Sequence, residues 1–282
     1  MNPAHTFKVF YLRTKIKLIA TLSIRKAAKI IFKSFVTPFY KVISKQPIKN
    51  AEPIQFLLNK KIINGYQWNT PQTKKILILH GFGSAAYKFK DYATMLSDKG
   101  FEVLAFDAPA HGKSDGKTTN AVEYSEMIKM VIDKFGPIPI FLAHSFGGMA
   151  LSLALENVPH NKNTKVIFIA PATETTTAID GAFNLLKLKN KVLRMEFEKI
   201  IFEISGQQTE WFSIRRAMHN IKASVLWIHD EDDDTTPWAD ALKVKEDNHN
   251  NIKFVLTKGL GHRKIYHHKE TKNKVLEFIE ND

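Results

Sequence analysis

The 282-residue chain contains no cysteine. Disulfides, a cysteine nucleophile and cysteine-based zinc sites are therefore all excluded. Acidic residues are absent from the first 50 positions, which hold 9 Lys and 2 Arg and so carry +11 of the formal net charge of +13. Residues 51–282 carry only +2. The basicity thus belongs to an N-terminal arm, and it gives no support to nucleic-acid binding by the whole chain.

Long apolar runs are also missing, since no segment approaches the roughly 18 uninterrupted apolar residues that a membrane-spanning helix needs. The apolar run Leu18–Ile24 is short, is interrupted by Thr21 and Ser23, and leads into Arg25 instead of a small-residue cleavage site. We therefore expect neither a signal peptide nor a spanning helix. The expected location is the cytoplasm, with peripheral contact at the inner membrane face left open.

The arm, residues 1–50, contains one amphipathic basic helix over Ile24–Phe35, which ends before Pro38. Helical spacing places Ile24, Ala27, Ala28, Ile31 and Phe35 on one side, with Arg25, Lys26, Lys29 and Lys33 on the other. Two interpretations stay open: the apolar stripe packs against its own domain, or it contacts an anionic membrane. The arm has no recognisable nucleic-acid-reading motif, so we expect no nucleic-acid partner.

The body, residues 51–282, alternates short apolar runs with helix-favouring segments. This alternation predicts an α/β fold with a mostly parallel sheet, helices on both faces, and ligands at the carboxyl ends of the strands. The chain opens with two antiparallel strands, Ile54–Leu58 and Ile62–Trp68, for which we expect a hairpin turn at Asn64-Gly65. The alternation breaks at about residues 173–222, which are helix-like and apolar.

The stretch Ile138–Leu155 predicts a buried strand, a sharp turn and a buried helix, with Ser145 at the turn. Ala143 and Gly147 flank the serine, and such a corner needs small neighbours because a larger side chain would collide with the adjoining backbone. The corner pushes the hydroxyl out beside a helix N-terminus, whose free N–H groups favour negative charge. Ser145 is therefore the candidate nucleophile.

A serine nucleophile needs a base, and the base needs a partner that holds its tautomer. Among the 11 histidines, His262 follows the last strand in the flexible sequence Gly-Leu-Gly-His, where its ring can reach the sheet edge. His229 ends a strand and begins the loop that contains the candidate acids. The candidates for the acid form one run after it: Asp230, Glu231, Asp232, Asp233 and Asp234.

These residues together resemble the α/β-hydrolase superfamily, over about residues 54–282. That family's acid loop has a His-Gly pair, then an Asp four residues after the His and four before a Pro, which falls on Asp233 here. Asp230 replaces the glycine, and Asp232 stays open as an alternative. The order Ser145, Asp233, His262 along the chain is the family's order.

Two further loops carry the resemblance. His-Gly-Phe-Gly, residues 80–83, is similar to the oxyanion loop, which implies that the N–H groups of Phe82 and Phe146 bind the oxyanion. The segment 107–114 resembles the family's D-x-x-G-H-G-x-S loop, with Ala110 in place of a glycine, and this makes His111 structural. The segment 173–222 lies where such enzymes carry a helical cap.

The resemblance implies acyl transfer by a serine esterase that uses no cofactor and no metal. A metal site at His229 and the acidic residues after it is disfavoured, because one of these acids is assigned to hold the base and the others are explained as solvated residues of a turn. The apolar residues expected around a small or lipid-like ester or thioester are Phe82, Phe146, Trp238 and Trp211, although ordinary packing explains them equally. Three alternatives remain: a serine aminopeptidase-like amide hydrolase, a binding protein without turnover, and a membrane-tethered scaffold. An aminopeptidase would need carboxylates for a substrate ammonium, for which the candidates are Glu196, Glu198, Glu203 and Glu210. Oligomeric state is not indicated.

Overall fold

The computed structural model describes residues 3–281, with side chains from residue 6 onward. Its strands form one eight-stranded sheet in the order β1-β2-β4-β3-β5-β6-β7-β8. The strands are β1 (Glu52–Leu58), β2 (Lys61–Trp68), β3 (Lys75–Leu79), β4 (Glu102–Phe106), β5 (Ile140–His144), β6 (Lys165–Ile169), β7 (Ser224–Asp230) and β8 (Ile252–Thr257). β2 is antiparallel to both β1 and β4, and the other neighbouring strands are parallel.

The helices of the described residues connect these strands and also form the arm and an insertion after β6. They are α1 (Pro3–Leu22), α2 (Ile24–Phe35), α3 (Lys90–Asp98), α4 (Ala121–Phe135), α5 (Phe146–Leu155), α6 (Thr175–Leu185), α7 (Lys191–Ser205), α8 (Ile214–Met218), α9 (Trp238–Glu246), α10 (Gly261–Lys264) and α11 (Lys269–Glu280). No helix within residues 3–281 is both long enough and apolar enough to cross a membrane.

Alternate residues of the central strands cover two faces of the sheet, as the two-residue period of a strand requires. On one face, residues such as Ile78 and Leu142 form a core with Leu96 of α3 and Val275 of α11. α5 contacts β3 and β5, and α4 packs on α5. The α/β architecture expected from the alternation is confirmed, and it brings the carboxyl ends of β3, β5, β7 and β8 to one edge.

The opening hairpin differs from the expected one. Its turn lies at Asn59-Lys60, where both residues have positive φ (48° and 67°), as a type I′ turn requires. Asn64 and Gly65 lie inside β2 instead. A glycine is required at position 65 because a Cβ there would clash with the Phe106 ring.

The chain divides into two compact units. The sheet unit comprises Pro38–Thr173 and Ile214–Asp282, while the helical unit comprises the residues up to Thr37 together with Glu174–Ser213. The arm expected at 1–50 and the cap expected at about 173–222 thus both contribute to one helical unit. Where the chain leaves and re-enters the sheet unit, the Ile214 N–H donates to the Thr173 carbonyl at 2.8 Å.

Within the helical unit, α2 packs between α1 and α7. Its apolar stripe is covered, with Ala27, Ala28 and Ile31 at most 1% exposed. Phe32 and Phe35 contact the ring of Phe197 on α7, with centroids 5.9 and 5.7 Å apart. The stripe for which self-packing and membrane contact both remained open is therefore occupied by the unit's own side chains.

Candidate active site

Ser145 stands at the corner between β5 and α5 with φ 53° and ψ −122°, a conformation that a non-glycine residue adopts only under strain. The close packing of this corner explains the glycines around it. A Cβ on Gly147 would lie 2.8 Å from the carbonyl oxygens of Leu79 and His80, and one on Gly81 would lie 2.9 Å from the Ser145 Cβ. Ala143 lies within β5, where glycine is not required.

The structure brings Ser145, His262 and Asp233 into one hydrogen-bonded chain. His262 Nε2 lies 3.1 Å from Ser145 Oγ, and His262 Nδ1 lies 2.8 Å from Asp233 Oδ2. Ser145 and Asp233 are buried. A nucleophile, a base and an acid at these separations have the geometry that acyl transfer needs.

The surroundings of Asp233 favour its ionised form. Burial raises the pKa of its carboxyl, but the hydrogen bond and the charge of His262, with the N–H groups of Thr236 and Thr235, outweigh burial and hold the pKa below its ordinary value. Both N–H groups donate to Oδ1 at 2.8 Å, and the Thr236 hydroxyl donates to Oδ2 at 2.8 Å. The exposed Asp232 instead accepts from the Gly259 N–H at 3.1 Å, so of the two acids left open by the sequence, only Asp233 meets His262.

Asp230 contributes in a way that the sequence did not indicate. Its buried carboxylate accepts hydrogen bonds from the N–H groups of Leu260 (3.0 Å) and Gly261 (2.9 Å) and from the Thr257 hydroxyl (2.6 Å). These bonds fix the backbone that leads into His262. The residue that stands in place of the family's glycine thus links the loop that carries Asp233 to the loop that carries His262. In the sequence, the one sign of this role was an acidic residue in place of that glycine at the end of a buried strand.

His144, next to the nucleophile, also supports the base. Its Nε2–H donates to the backbone carbonyl of His262 at 3.2 Å, and the two rings lie 4.8 Å apart. Burial, with the nearby charge of His262, lowers the pKa of His144 to about 3. The ring is therefore neutral at physiological pH and adds no charge beside the base.

The two amides expected to bind an oxyanion belong to Phe146, which directly follows Ser145, and to Phe82, which follows the Gly81 packed against that serine. Neither the Phe82 nor the Phe146 N–H donates to a protein acceptor within residues 3–281, as an oxyanion site requires. The rings of Phe82 and Phe146 meet edge to face with centroids 5.6 Å apart. Next to them, Gly83 N–H donates to His111 Nε2 at 2.9 Å, which gives His111 the structural role expected for it.

The other residues expected near a substrate are placed differently. Within the described residues, the Trp238 ring contacts the rings of His229, near the end of β7, and Phe254, in the middle of β8. Trp211 lies in the helical unit, on a 3-10 turn over Thr209–Trp211, against Phe212. His229 uses both ring nitrogens inside the fold, with Thr236 O and Trp227 Nε1 as partners, so it offers no free nitrogen to a metal.

Comparison with known proteins identifies the family of this chain. The family model described as serine aminopeptidase, S33, matches residues 70–213. The protein named methylesterase 15 of Arabidopsis thaliana is 32% identical over 106 residues, which cover 36% of this chain and 24% of the relative. Polyneuridine aldehyde esterase of Rauvolfia serpentina is 27% identical over 107 residues, covering 36% of this chain and 40% of the relative. The chain thus spans well under half the length of these curated relatives.

Solved structures match over much more of the chain. An esterase of Pyrococcus furiosus has a TM-score of 0.67 at 19% identity, covering 87% of this chain and 98% of the other. A monoacylglycerol lipase of Paleococcus ferrophilus has a TM-score of 0.58 at 22% identity, covering 77% of this chain and 96% of the other. At these identities the matches establish the fold alone.

Proposed function

Because the chain belongs to the serine aminopeptidase S33 family of α/β hydrolases, we propose that it is a serine hydrolase that cleaves a carboxylic ester or thioester through an acyl-enzyme. One observation carries this proposal above the others: Ser145 Oγ, His262 and Asp233 form a continuous hydrogen-bonded chain with separations of 3.1 and 2.8 Å. The esterase names of the two sequence relatives support ester chemistry.

In the proposed reaction, Ser145 Oγ attacks the substrate carbonyl carbon while its proton passes to His262 Nε2. The carbonyl oxygen becomes an oxyanion held by the N–H groups of Phe82 and Phe146. The carbon–oxygen or carbon–sulfur bond then breaks, and His262 returns the proton to the leaving group. Water attacks the acyl-enzyme by the same route in reverse, releasing the acid and restoring the serine.

Asp233 would stabilise the imidazolium that forms in each step. Its depressed pKa keeps it ionised beside His262, and its bond to Nδ1 leaves Nε2 free to face the serine. This arrangement fixes the tautomer that a base at this position needs.

Amide hydrolysis at a free amino terminus is less well supported. An aminopeptidase needs carboxylates for the substrate ammonium, but three of the four candidates are already paired with arginines inside the helical unit. Arg25 pairs with both Glu196 and Glu203, and Arg194 pairs with Glu198. These contacts favour ester over aminopeptidase substrates.

The experiment is hydrolysis of p-nitrophenyl esters and matching thioesters of graded acyl length, together with labelling by a fluorophosphonate probe. We expect wild type to be labelled and to turn over, and Ser145→Ala to lose labelling and at least about 10³-fold in kcat. The chain length with the highest kcat/KM then defines the acyl pocket, to which we assign Phe82 and Phe146.

Ser152→Ala is the matched control, because Ser152 lies on α5 and is fully buried, and its hydroxyl donates to the Met149 carbonyl one turn away. It should retain labelling. A wild-type protein that binds these esters tightly but is neither labelled nor active would identify a binding protein instead and overturn the proposal.

We further propose a cytoplasmic protein that contacts the inner membrane face peripherally. The support is the arm, which holds 11 basic and no acidic residues in its first 50 positions, a charge suited to anionic lipid. Cell fractionation tests this: the protein should sediment with membranes at low salt and be released by high salt.

A further inference from the structure

Helix α1 has two opposite apolar faces. At about 100° per residue, Val9, Leu12, Ile16 and Ile19 share one side. This side is covered, since Ile16 is 0% exposed and α1 packs on α2. It is the face by which α1 belongs to the helical unit.

The second apolar face lies opposite and is uncovered. It spans roughly 120° of the helix circumference, about the width of the apolar stripe of a surface helix. Its large side chains are Phe7 (70% exposed), Phe10 (62%), Tyr11 (59%), Leu18 (67%) and Leu22 (86%). Because the two apolar faces are opposite, they give the helix no net apolar side. A search for helices with one apolar side therefore indicated only α2 in the arm.

Basic side chains border this outer face on both sides. Lys8 and Lys15 lie along one edge, and Arg13 and Lys17 along the other. No acidic residue occurs within the first 50 positions. Of the two threonines on the face, Thr21 satisfies its hydroxyl within the helix by donating to Leu18 O at 2.7 Å, so it brings no unpaired donor to an apolar environment.

We propose that the outer face of α1 lies in the interface of an anionic lipid bilayer, with the helix axis parallel to the membrane plane. An apolar face rimmed by cations is what such an interface accommodates: the aromatic and leucine side chains enter the acyl boundary, and the lysines reach the phosphates. A second copy of the same face is disfavoured because its rims carry like charge. This proposal does not depend on the catalytic one.

The test uses the full-length protein and sedimentation with vesicles of phosphatidylcholine, with and without about 30% phosphatidylglycerol. We expect binding to the anionic vesicles, weaker binding to the neutral ones, and release by salt. Leu18→Glu should lower the partition coefficient at least about ten-fold, because a carboxylate replaces a leucine on the face that enters the bilayer. Lys8→Gln with Lys15→Gln should weaken binding to anionic vesicles alone.

Leu57→Glu is the matched control, since Leu57 is 64% exposed on β1 of the sheet unit and should leave vesicle binding unchanged. Circular dichroism melts report that each variant is folded, and Ser145→Ala should bind vesicles like wild type. Equal binding by Leu18→Glu and wild type, or no binding by wild type, would overturn the proposal. So would a lipid-free dimer that Leu18→Glu dissociates, because it would assign the face to a second copy.

Discussion

The carboxylate of Asp230 accepts hydrogen bonds from the backbone N–H groups of Leu260 and Gly261, the two residues directly before the proposed base His262. Asp230→Asn keeps one acceptor oxygen but turns an NH₂ group toward donors, so the loop should shift. Small displacements of a catalytic group are costly, and we expect kcat to fall roughly 10- to 100-fold with little change in KM. Steady-state kinetics on the best p-nitrophenyl ester measures this effect, and a changed pH profile of kcat/KM would show that the loss acts through His262.

Asp232→Asn provides the control. Asp232 is exposed and its carboxylate accepts a hydrogen bond from the Gly259 N–H, so the kcat of this variant should stay within about two-fold of wild type, as for surface substitutions. If both variants lost activity equally, Asp230 would have no special hold on the base loop.

Two alanines in the loop and strand that form the site, Ala110 and Ala143, should respond oppositely to replacement by glycine. Ala110 has φ 67°, a conformation costly for alanine but free for glycine, so Ala110→Gly should stabilise the protein by about 0.5–1 kcal/mol. Ala143 is fully buried within β5, so Ala143→Gly should destabilise it by about 1–2 kcal/mol through lost packing and added chain entropy. Thermal unfolding compares the two, and shifts of the same sign would contradict this account.

At the residue scale, candidate residues could be named where a family motif has a fixed spacing along the chain. The family's spacing from His229 and to Pro237 pointed to Asp233 and left Asp232 open, and in the structure Asp233, not Asp232, bonds to His262. Asp230 and His144 could not be assigned in the same way. Their partners are backbone groups 31 and 118 positions away, and no local pattern encodes such contacts.

Among the helices, Phe197 on α7 joins α2 and α6 into one cluster. Its ring lies 5.9 Å from Phe32, 5.7 Å from Phe35 and 5.5 Å from Phe183, and it is fully buried. Phe197→Ala should cost about 3–5 kcal/mol. We expect this loss to fall on the helical unit, so hydrogen exchange should speed up in α2, α6 and α7 while β5 and β6 stay protected.

Phe202→Ala on the same helix is the comparison, because Phe202 is 44% exposed and its removal should leave exchange in α2 nearly unchanged. Faster exchange throughout the sheet in Phe197→Ala would mean that the two units unfold together.

The elements that could be predicted are those with one dominant local cause. α2 was expected over Ile24–Phe35 from one-sided amphipathicity, and the structure has a helix over these residues. The hairpin turn was wrong because an Asn-Gly pair usually marks a turn, whereas here Gly65 makes room for the ring of Phe106. α1 was missed because its two apolar faces cancel.

Across the whole molecule, buried neutral histidines should set the response to acid. His80, His111 and His144 are between 1% and 6% exposed. Burial lowers the pKa of His80 to about 4, and lowers those of His111 and His144 to about 3 with help from a neighbouring histidine. In the unfolded chain each has a pKa near 6.5. Between these values the unfolded state binds more protons, so stability falls as pH falls.

The depressed carboxyl pKa values of Asp230 and Asp233 act lower on the pH scale. Their stabilisation is complete above the unfolded pKa of about 3.9 and is lost only as pH drops below it. Between pH 6.5 and about 4.5, the change in stability with pH is therefore due to the histidines. Each contributes about 1.4 kcal/mol per pH unit, so the three together remove about 6 kcal/mol between pH 7 and pH 5.

That loss is comparable with the whole stability of a typical domain, so we expect the urea midpoint to drop steeply between pH 6.5 and 5 and unfolding to begin without denaturant near pH 5. Potentiometry gives the direct measurement: unfolding by urea at pH 5 should take up at least about three protons per molecule, because burial also lowers the pKa of His229, and almost none at pH 8. His144→Asn, if folded, should reduce the uptake by about one, whereas Asn163→Asp at an exposed loop position should not. An uptake below one proton at pH 5 would show that these rings are protonated in the fold, which would also remove the neutral neighbour that His144 provides to His262.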